Sequence, residues 1–279
     1  SRNRIKYHKF YRRNYCCSSI KITMSLKKLS FLKYTIIFSI FFIDSVLSEE
    51  KTITFDDGST YIGEVINDSM EGKGVFKSSK NQSNNQLVYT GEFKQGKFDG
   101  KGLLEFYNGD VYAGNFIDGF MHGNGILTYN TGAVYDGIFV KGNKEGMGKL
   151  IYSDGVIYEG DFKNDRIEGI GKIIYEVGNE YQGEFLNNLM HGNGTIIFKD
   201  GSSYKGRFLD GQYNGKGVFS FPDGTYYKGE FKNGYRDGQG ELIYLDNTRQ
   251  SGIFKNGDFI GEVTIIFPDG TVQKQNYKE

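Results

Sequence analysis

Residues 112–134 read YAGNFIDGFMHGNGILTYNTGAV, and residues 135–157 read YDGIFVKGNKEGMGKLIYSDGVI. Laid one over the other, they match Tyr112 to Tyr135, Gly114 to Gly137, Phe116 to Phe139, and Gly123 and Gly125 to Gly146 and Gly148. The period of 23 carries Tyr from position 89 to position 227 without interruption. Each Tyr is followed by Gly two residues on and by Phe four residues on. A fixed period of this size marks a stacked repeat architecture, in which each unit packs on its neighbours and the whole presents a long surface.

Spacing of two is strand spacing, so Tyr89, Gly91 and Phe93 share one face of one strand, and Gly102, Leu104 and Phe106 share one face of the next. Two short strands separated by Asn, Asp and Gly residues read as a β-hairpin. The loop within each hairpin carries Asp118-Gly119, Asp210-Gly211, Asn233-Gly234 or Asn256-Gly257, and Asp165 or Asn188 where Gly is missing. Those residue types predict a left-handed backbone. Asp154-Gly155, Asp200-Gly201 and Asp223-Gly224 mark the turns between hairpins. Glycine inside a strand weakens it unless packing needs the space. Each in-strand Gly is therefore expected to let an aromatic ring of a neighbouring strand lie flat on the backbone, which would reconcile 40 Gly with 21 Tyr and 23 Phe.

The pattern Y-x-G-x-F, then G-x-G, then a D-G turn resembles the MORN repeat (membrane occupation and recognition nexus). The likeness runs from about residue 52 to 272. The unit at Tyr61 has Val65 for Phe and an insertion in the polar run at 78–85. The last unit has Gln250 for Tyr and Val263 for the second Gly, and a half unit at 53–58 precedes the first. The resemblance implies an all-β fold, an elongated single twisted antiparallel sheet of stacked 23-residue hairpins. Its nine and a half repeats, roughly 18 strands, would make an open-ended rod of about 85 Å. Both ends of such a sheet are free edges, open to end-to-end association.

Residues 1–48 differ in composition, with no Gly, ten Lys/Arg and one acidic residue. Met24 opens a segment that reads as a secretory signal: Lys27, Lys28 and Lys33, then the apolar run at 34–43, then Val46 and Ser48 before a cleavage at Glu49. A membrane anchor is the rival, although 17 residues at 31–47 with Lys33 and Asp44 are short for a span. The expected organisation is a leader extension at 1–23, signal or anchor at 24–48, repeats at 49–272 and a tail at 273–279. The expected location is the secretory pathway, secreted or luminal, or else membrane-anchored. Subtracting the leader from totals of 34 basic and 34 acidic residues leaves 24 and 33, a net of −9. An acidic body argues against nucleic acid and against broad attraction to anionic lipid. Both Cys, at 16 and 17, fall in the leader, so the repeats hold no disulfide framework.

No nucleophile elbow, phosphate-binding loop or zinc-protease motif occurs, and nothing marks two carboxyls converging in a pocket. His122 and His191 hold one place in two repeats, three units apart, and read as family-typical turn residues rather than metal ligands. Asn67, Asn81 and Asn193 open N-x-[ST] sequons, of which Asn81, in the polar insertion, is the best glycan acceptor. The expected function is a non-enzymatic scaffold that binds protein partners, itself included, with no cofactor, metal or small-molecule substrate. The rings Tyr112, Phe116, Tyr135, Phe139, Tyr158 and Phe162 are the expected binding positions. A membrane or phosphoinositide tether is the alternative that the resemblance implies. Similar repeats also accompany phosphatidylinositol-phosphate kinases, and with only residues 271–279 after the repeats an accessory module of that kind is expected to carry no catalytic domain here.

Overall fold

The computed structural model describes residues 49–83 and 85–278, and among these every regular element is a β-strand. The leader, its cleavage point and the anchor alternative lie outside the described residues. Strand β1 (Glu49–Thr54) opens the sheet. Four hairpins follow: β2 (Thr60–Ile66) with β3 (Ser69–Lys77), β4 (Val88–Lys94) with β5 (Lys97–Glu105), β6 (Val111–Ile117) with β7 (Phe120–Thr128), and β8 (Val134–Val140) with β9 (Asn143–Ile151). Five more continue it: β10 (Ile157–Lys163) with β11 (Arg166–Ile174), β12 (Glu180–Leu186) with β13 (Leu189–Ile197), β14 (Ser203–Leu209) with β15 (Gln212–Ser220), β16 (Tyr226–Lys232) with β17 (Tyr235–Ile243), and β18 (Arg249–Lys255) with β19 (Asp258–Ile266). Strand β20 (Val272–Tyr277) closes it. Each strand pairs antiparallel with its neighbours in sequence, so the 20 strands form one open sheet. At about 4.8 Å per strand its contour is about 90 Å.

The strand count exceeds the expected 18. The degenerate last unit still makes β18 and β19, and most of the expected tail lies in β20, with Val272 opposite Ile266 and Tyr277 opposite Gly261. Backbone pairing needs an extended partner and not the consensus rings, so the sheet outlasts its own motif.

The hairpin loops have the expected left-handed backbone at both residues: φ is 51° and 89° at Asp118 and Gly119, and 51° and 68° at Asn187 and Asn188. Two successive residues of this kind make the type I′ turn that matches strand twist. The turn also ties each hairpin to the one before it. The Gly119 N–H donates to the Phe98 carbonyl at 2.8 Å, and Gly142 to Met121 at 2.9 Å. The Asp-Gly turns on the opposite edge close their backbone-to-backbone bonds within themselves, as in Tyr152 N–H to Val156 O and Gly155 N–H to Tyr152 O, and reach the preceding turn only through side chains, as in Asn130 N–H to Asp110 Oδ1. The insertion at 78–85 lies on that second edge, where Asn81 Oδ1 accepts the N–H groups of Ser83 and Asn85.

The glycines form a row across the sheet: Gly114 pairs with Gly125, Gly125 with Gly137, Gly137 with Gly148, and Gly148 with Gly160. Over each hairpin's pair lies one tyrosine ring. A Cβ on Gly148 would come within 2.6 Å of both Cε2 and the hydroxyl of Tyr135, and one on Gly137 within 2.6 Å of the same ring. The expectation of a ring from a neighbouring strand holds for Gly148 in β9. For Gly137 the ring comes from its own strand, because Tyr135 folds forward along β8. Its hydroxyl then donates to the Ile138 carbonyl three residues on, at 3.1 Å.

Candidate functional site

The six rings expected to bind a partner are core. Tyr112, Tyr135 and Tyr158 are 0% exposed, Phe116 and Phe139 1%, and Phe162 4%. Three kinds of neighbour enclose them. Glycines form the floor. Phenylalanines stand edge-on at either side, with Phe139 at 5.2 Å and Phe162 at 5.0 Å from Tyr135. The residue nine positions after each Tyr supplies the cover: Phe98 stacks on Tyr89 at 3.8 Å, Tyr213 on Tyr204 at 3.9 Å, and the Lys144 ammonium sits 5.6 Å from the Tyr135 ring. A single-layer sheet therefore covers its own aromatic face, and no partner reaches these six side chains while the sheet is intact.

The enclosure acts on the phenols. Loss of solvent pushes the hydroxyls of Tyr112 and Tyr135 up to about 12 from an ordinary 10, and that of Tyr158 up further. Each donates its proton to a backbone carbonyl. Burial disfavours the phenolate, so these groups remain neutral donors.

The opposite face of the sheet is the accessible one. Alternation along the strands places on it the residues one and three after each Tyr, with their partners across each hairpin. Across β8, β9, β10 and β11 its middle row runs Asp136, Lys149, Glu159, Lys172, each directly opposite the next. Above this row lie Val134, Ile151, Ile157 and Ile174, also in register. Below it are Ile138, Met147, Asp161 and Ile170, with Asp161 opposite Met147, and Met147 and Ile170 are each 57% exposed. An apolar row above, and below it a row that is apolar but for Asp161, thus flank a ladder of alternating charge. Towards β15 to β18 the same face turns polar and forms a groove of about 660 Å³, bordered by Lys216, Val218, Lys228, Glu230, Gln239 and Glu241.

The remaining candidates separate. His122 and His191 sit in strands β7 and β13, not in turns as expected. They lie at the bulge where three residues of the second strand oppose one of the first, and they are six strands, about 29 Å, apart. The Nδ1 of His191 is buried without a hydrogen bond, 3.7 Å from the Asp210 carboxylate. Among the described residues no three His, Cys, Asp or Glu side chains gather as a metal site, and no helix is long and apolar enough to cross a membrane. Asn81 is exposed on its loop, whereas the Asn193 side-chain amide donates to Glu184 at 3.0 Å.

Two functional features escaped the sequence reading. The cover position varies through Phe98, Met121, Lys144, Ile167 and Tyr213, so no consensus marks it. The accessible face is also built from the unconserved columns of the repeat alignment. Reading the residue after each Tyr down the units, Ala113, Asp136, Glu159, Gln182, would have exposed its change from apolar to charged.

Compared with solved structures, the chain is similar to the SAS-4 (dCPAP) TCP domain of Drosophila melanogaster in complex with a proline-rich motif of Ana2. Identity is 17% and the TM-score 0.38, over 56% of this chain and 85% of that one. It is likewise similar to the TCP10 domain of Danio rerio CPAP in complex with a STIL peptide, at 13% identity and a TM-score of 0.40, over 83% of this chain and 99% of that one. No curated protein matches the chain. The MORN repeat profile matches residues 61–83, 89–111, 112–134, 135–157, 158–180, 181–203, 204–226 and 227–249. With these units folded as one hairpin form over one glycine row, the chain belongs to the MORN-repeat family.

Proposed function

We propose that this MORN-repeat chain is a non-enzymatic scaffold that binds protein along the face of the sheet opposite its tyrosines. The observation that carries the reading is the exposure of Ile126, Ile138, Met147, Ile170 and Ile197 on that face, in a protein whose core is complete without them. Contiguous apolar surface rimmed by polar residues is characteristic of interaction sites. The test is selection of binders from a displayed peptide library, followed by M147D and I170D. Selected peptides should lose affinity about tenfold or more for these variants and keep it for Lys205→Glu, outside the patch. Recovery of no binder, or of binders indifferent to both aspartates, sinks the reading.

A secretory location accompanies this proposal, supported by the basic then apolar order of residues 27–43. A lipid-headgroup tether is the weaker reading, since the body beyond residue 48 carries a net of −9. Flotation of the chain with phosphoinositide vesicles, but not with neutral ones, would reverse that order.

A further inference from the structure

We infer that the partner of the accessible face is a second copy of this chain, docked face to face about a two-fold axis. The inference rests on the reading of that face as the binding surface and names its occupant. Place the axis parallel to the strands, midway between β9 and β10. The rotation then brings β9 of one copy over β10 of the other, and β8 over β11.

Charges and apolar groups both match under this operation. Lys149 meets Glu159 of the second copy and Asp136 meets its Lys172, so the alternating ladder is complementary to its own reversal. In the apolar row Ile151 meets Ile157 and Val134 meets Ile174. In the lower row Ile138 meets Ile170, and Met147 lies over Asp161, whose carboxylate is already bonded to the Ile170 N–H. Of the other acids, Glu184 accepts the Asn193 N–H, while Glu180, 2.6 Å from Lys172, shares that ammonium with the incoming Asp136. No like-charged pair faces another across β8 to β11.

The size is adequate. Beyond the matched strands, β6, β7, β12 and β13, where Val111 meets Ile197 but Ile126 lies over Gln182, bring the covered area to eight strands, about 38 Å, by three rows, about 20 Å. That is about 760 Å² on each copy, close to the 800 Å² per partner of a stable interface. Twisted sheets pack face to face at about 30° and about 10 Å apart, so pairs nearest the axis keep contact at any such crossing. Lys149, Glu159, Ile151 and Ile157 are those pairs. At β14 the patch ends, because Arg207 would lie over Lys101 of the other copy and Lys205 over its Leu103.

The test is the solution mass of the full chain and of K149E and E159K, by sedimentation equilibrium at about 100 µM, where a micromolar dimer is assembled. Wild type should weigh twice the 31.6 kDa monomer. Each single variant sets two like-charged pairs across the axis, and its dimer dissociation constant should rise about tenfold or more while strand circular dichroism is unchanged. An equimolar mixture of the two variants should regain the dimer mass, since the carboxylate introduced by K149E in one copy then faces the ammonium introduced by E159K in the other. Lys149 and Glu159 are also neighbours within one sheet, but an effect confined to that sheet predicts no rescue on mixing. A monomeric wild type, single variants whose dissociation constant rises less than about tenfold across a dilution series, or a mixture whose constant stays as high as the single variants' overturns the inference. A monomeric wild type that still takes up library peptides sensitive to M147D would leave the scaffold reading standing without the dimer.

Discussion

Gly148→Ala adds one methyl group, and the structure predicts that it expels a ring. The new Cβ would lie 2.6 Å from Cε2, 2.6 Å from the hydroxyl and 2.8 Å from Cζ of Tyr135, all inside van der Waals contact. The ring cannot slide aside. Phe139 and Phe162 stand at its edges, Lys144 covers it, and Gly137 of its own strand lies beneath. Its displacement forfeits what truncating a buried aromatic forfeits, about 3–5 kcal/mol, including about 1 kcal/mol for the hydrogen bond to Ile138. Alanine for glycine in a strand of ordinary φ would otherwise stabilise by about 0.4–1 kcal/mol. The last unit supplies an internal control. Gly252 holds the place in the row that Gly137 holds in its unit, but Gln250 replaces the tyrosine, and a Cβ there meets Val263 at 3.0 Å and the Glu262 carbonyl and Phe259 at 3.3 Å. Gly252→Ala should therefore cost within about 1 kcal/mol. The assay is urea unfolding by circular dichroism, with amide exchange in β8 to β10 because stability in a stacked sheet is local. The decisive comparison repeats Gly148→Ala in a Tyr135→Ala background, where the cost should fall to about zero. If Gly148→Ala costs no more than Gly252→Ala, or costs the same with Tyr135 removed, the account of the glycine row is wrong.

Other outcomes follow from the same geometry. Tyr112→Phe keeps the ring but strips the Asn115 carbonyl of its 3.0 Å donor, and should cost about 1 kcal/mol in the same urea assay. Asn188→Ala should cost about 1–3 kcal/mol, because Ala disfavours φ of 68° and removes the acceptor of the Ile167 N–H at 2.8 Å. Asn188→Gly should recover the backbone part. For the tyrosines the folded pKa lies above the unfolded one. Their contribution is therefore full below pH 10 and lost as pH rises through 10 to about 12. Tyrosinate absorbance of Tyr112 and Tyr135 should appear together with loss of strand signal in that window, and a sheet intact at pH 12 with those rings ionised would contradict their burial. If the chain enters a eukaryotic secretory pathway, Asn81→Gln should abolish a mobility shift that glycosidase also removes, whereas Asn193→Gln should not.

The repeat made the fold legible because period, strand spacing and turn chemistry all agreed on one hairpin. Tyr135, Gly137 and Phe139 on one face, with Gly at the left-handed turn positions, left little for tertiary context to decide. The site was misread for a physical reason. A one-layer sheet is expected to leave its ring face open, and only the structure shows Tyr135 folding along its own strand under Lys144. A cover that is Phe98 in one unit and Lys144 in another has no signature, since any long side chain with an apolar stem can lie on a ring. The accessible face was invisible for a related reason. Recognition resides in the positions that vary between units, while the resemblance is carried by those that do not.

The two long edges of the rod differ in what they tolerate. On the edge of the left-handed turns each unit's Gly, Asp or Asn N–H is handed to the previous unit's carbonyl, so an added residue there would break the bond that seats one hairpin on the next. On the Asp-Gly edge the backbone-to-backbone bonds close within each turn, and the insertion between β3 and β4 already extends one without disturbing the pairing of those strands. Growth of the chain between strands is thus channelled to one side of the molecule. A reporter or an entire folded domain spliced at residues 80–83 would hang from that side like a pennant, leaving both faces and the opposite edge as they are.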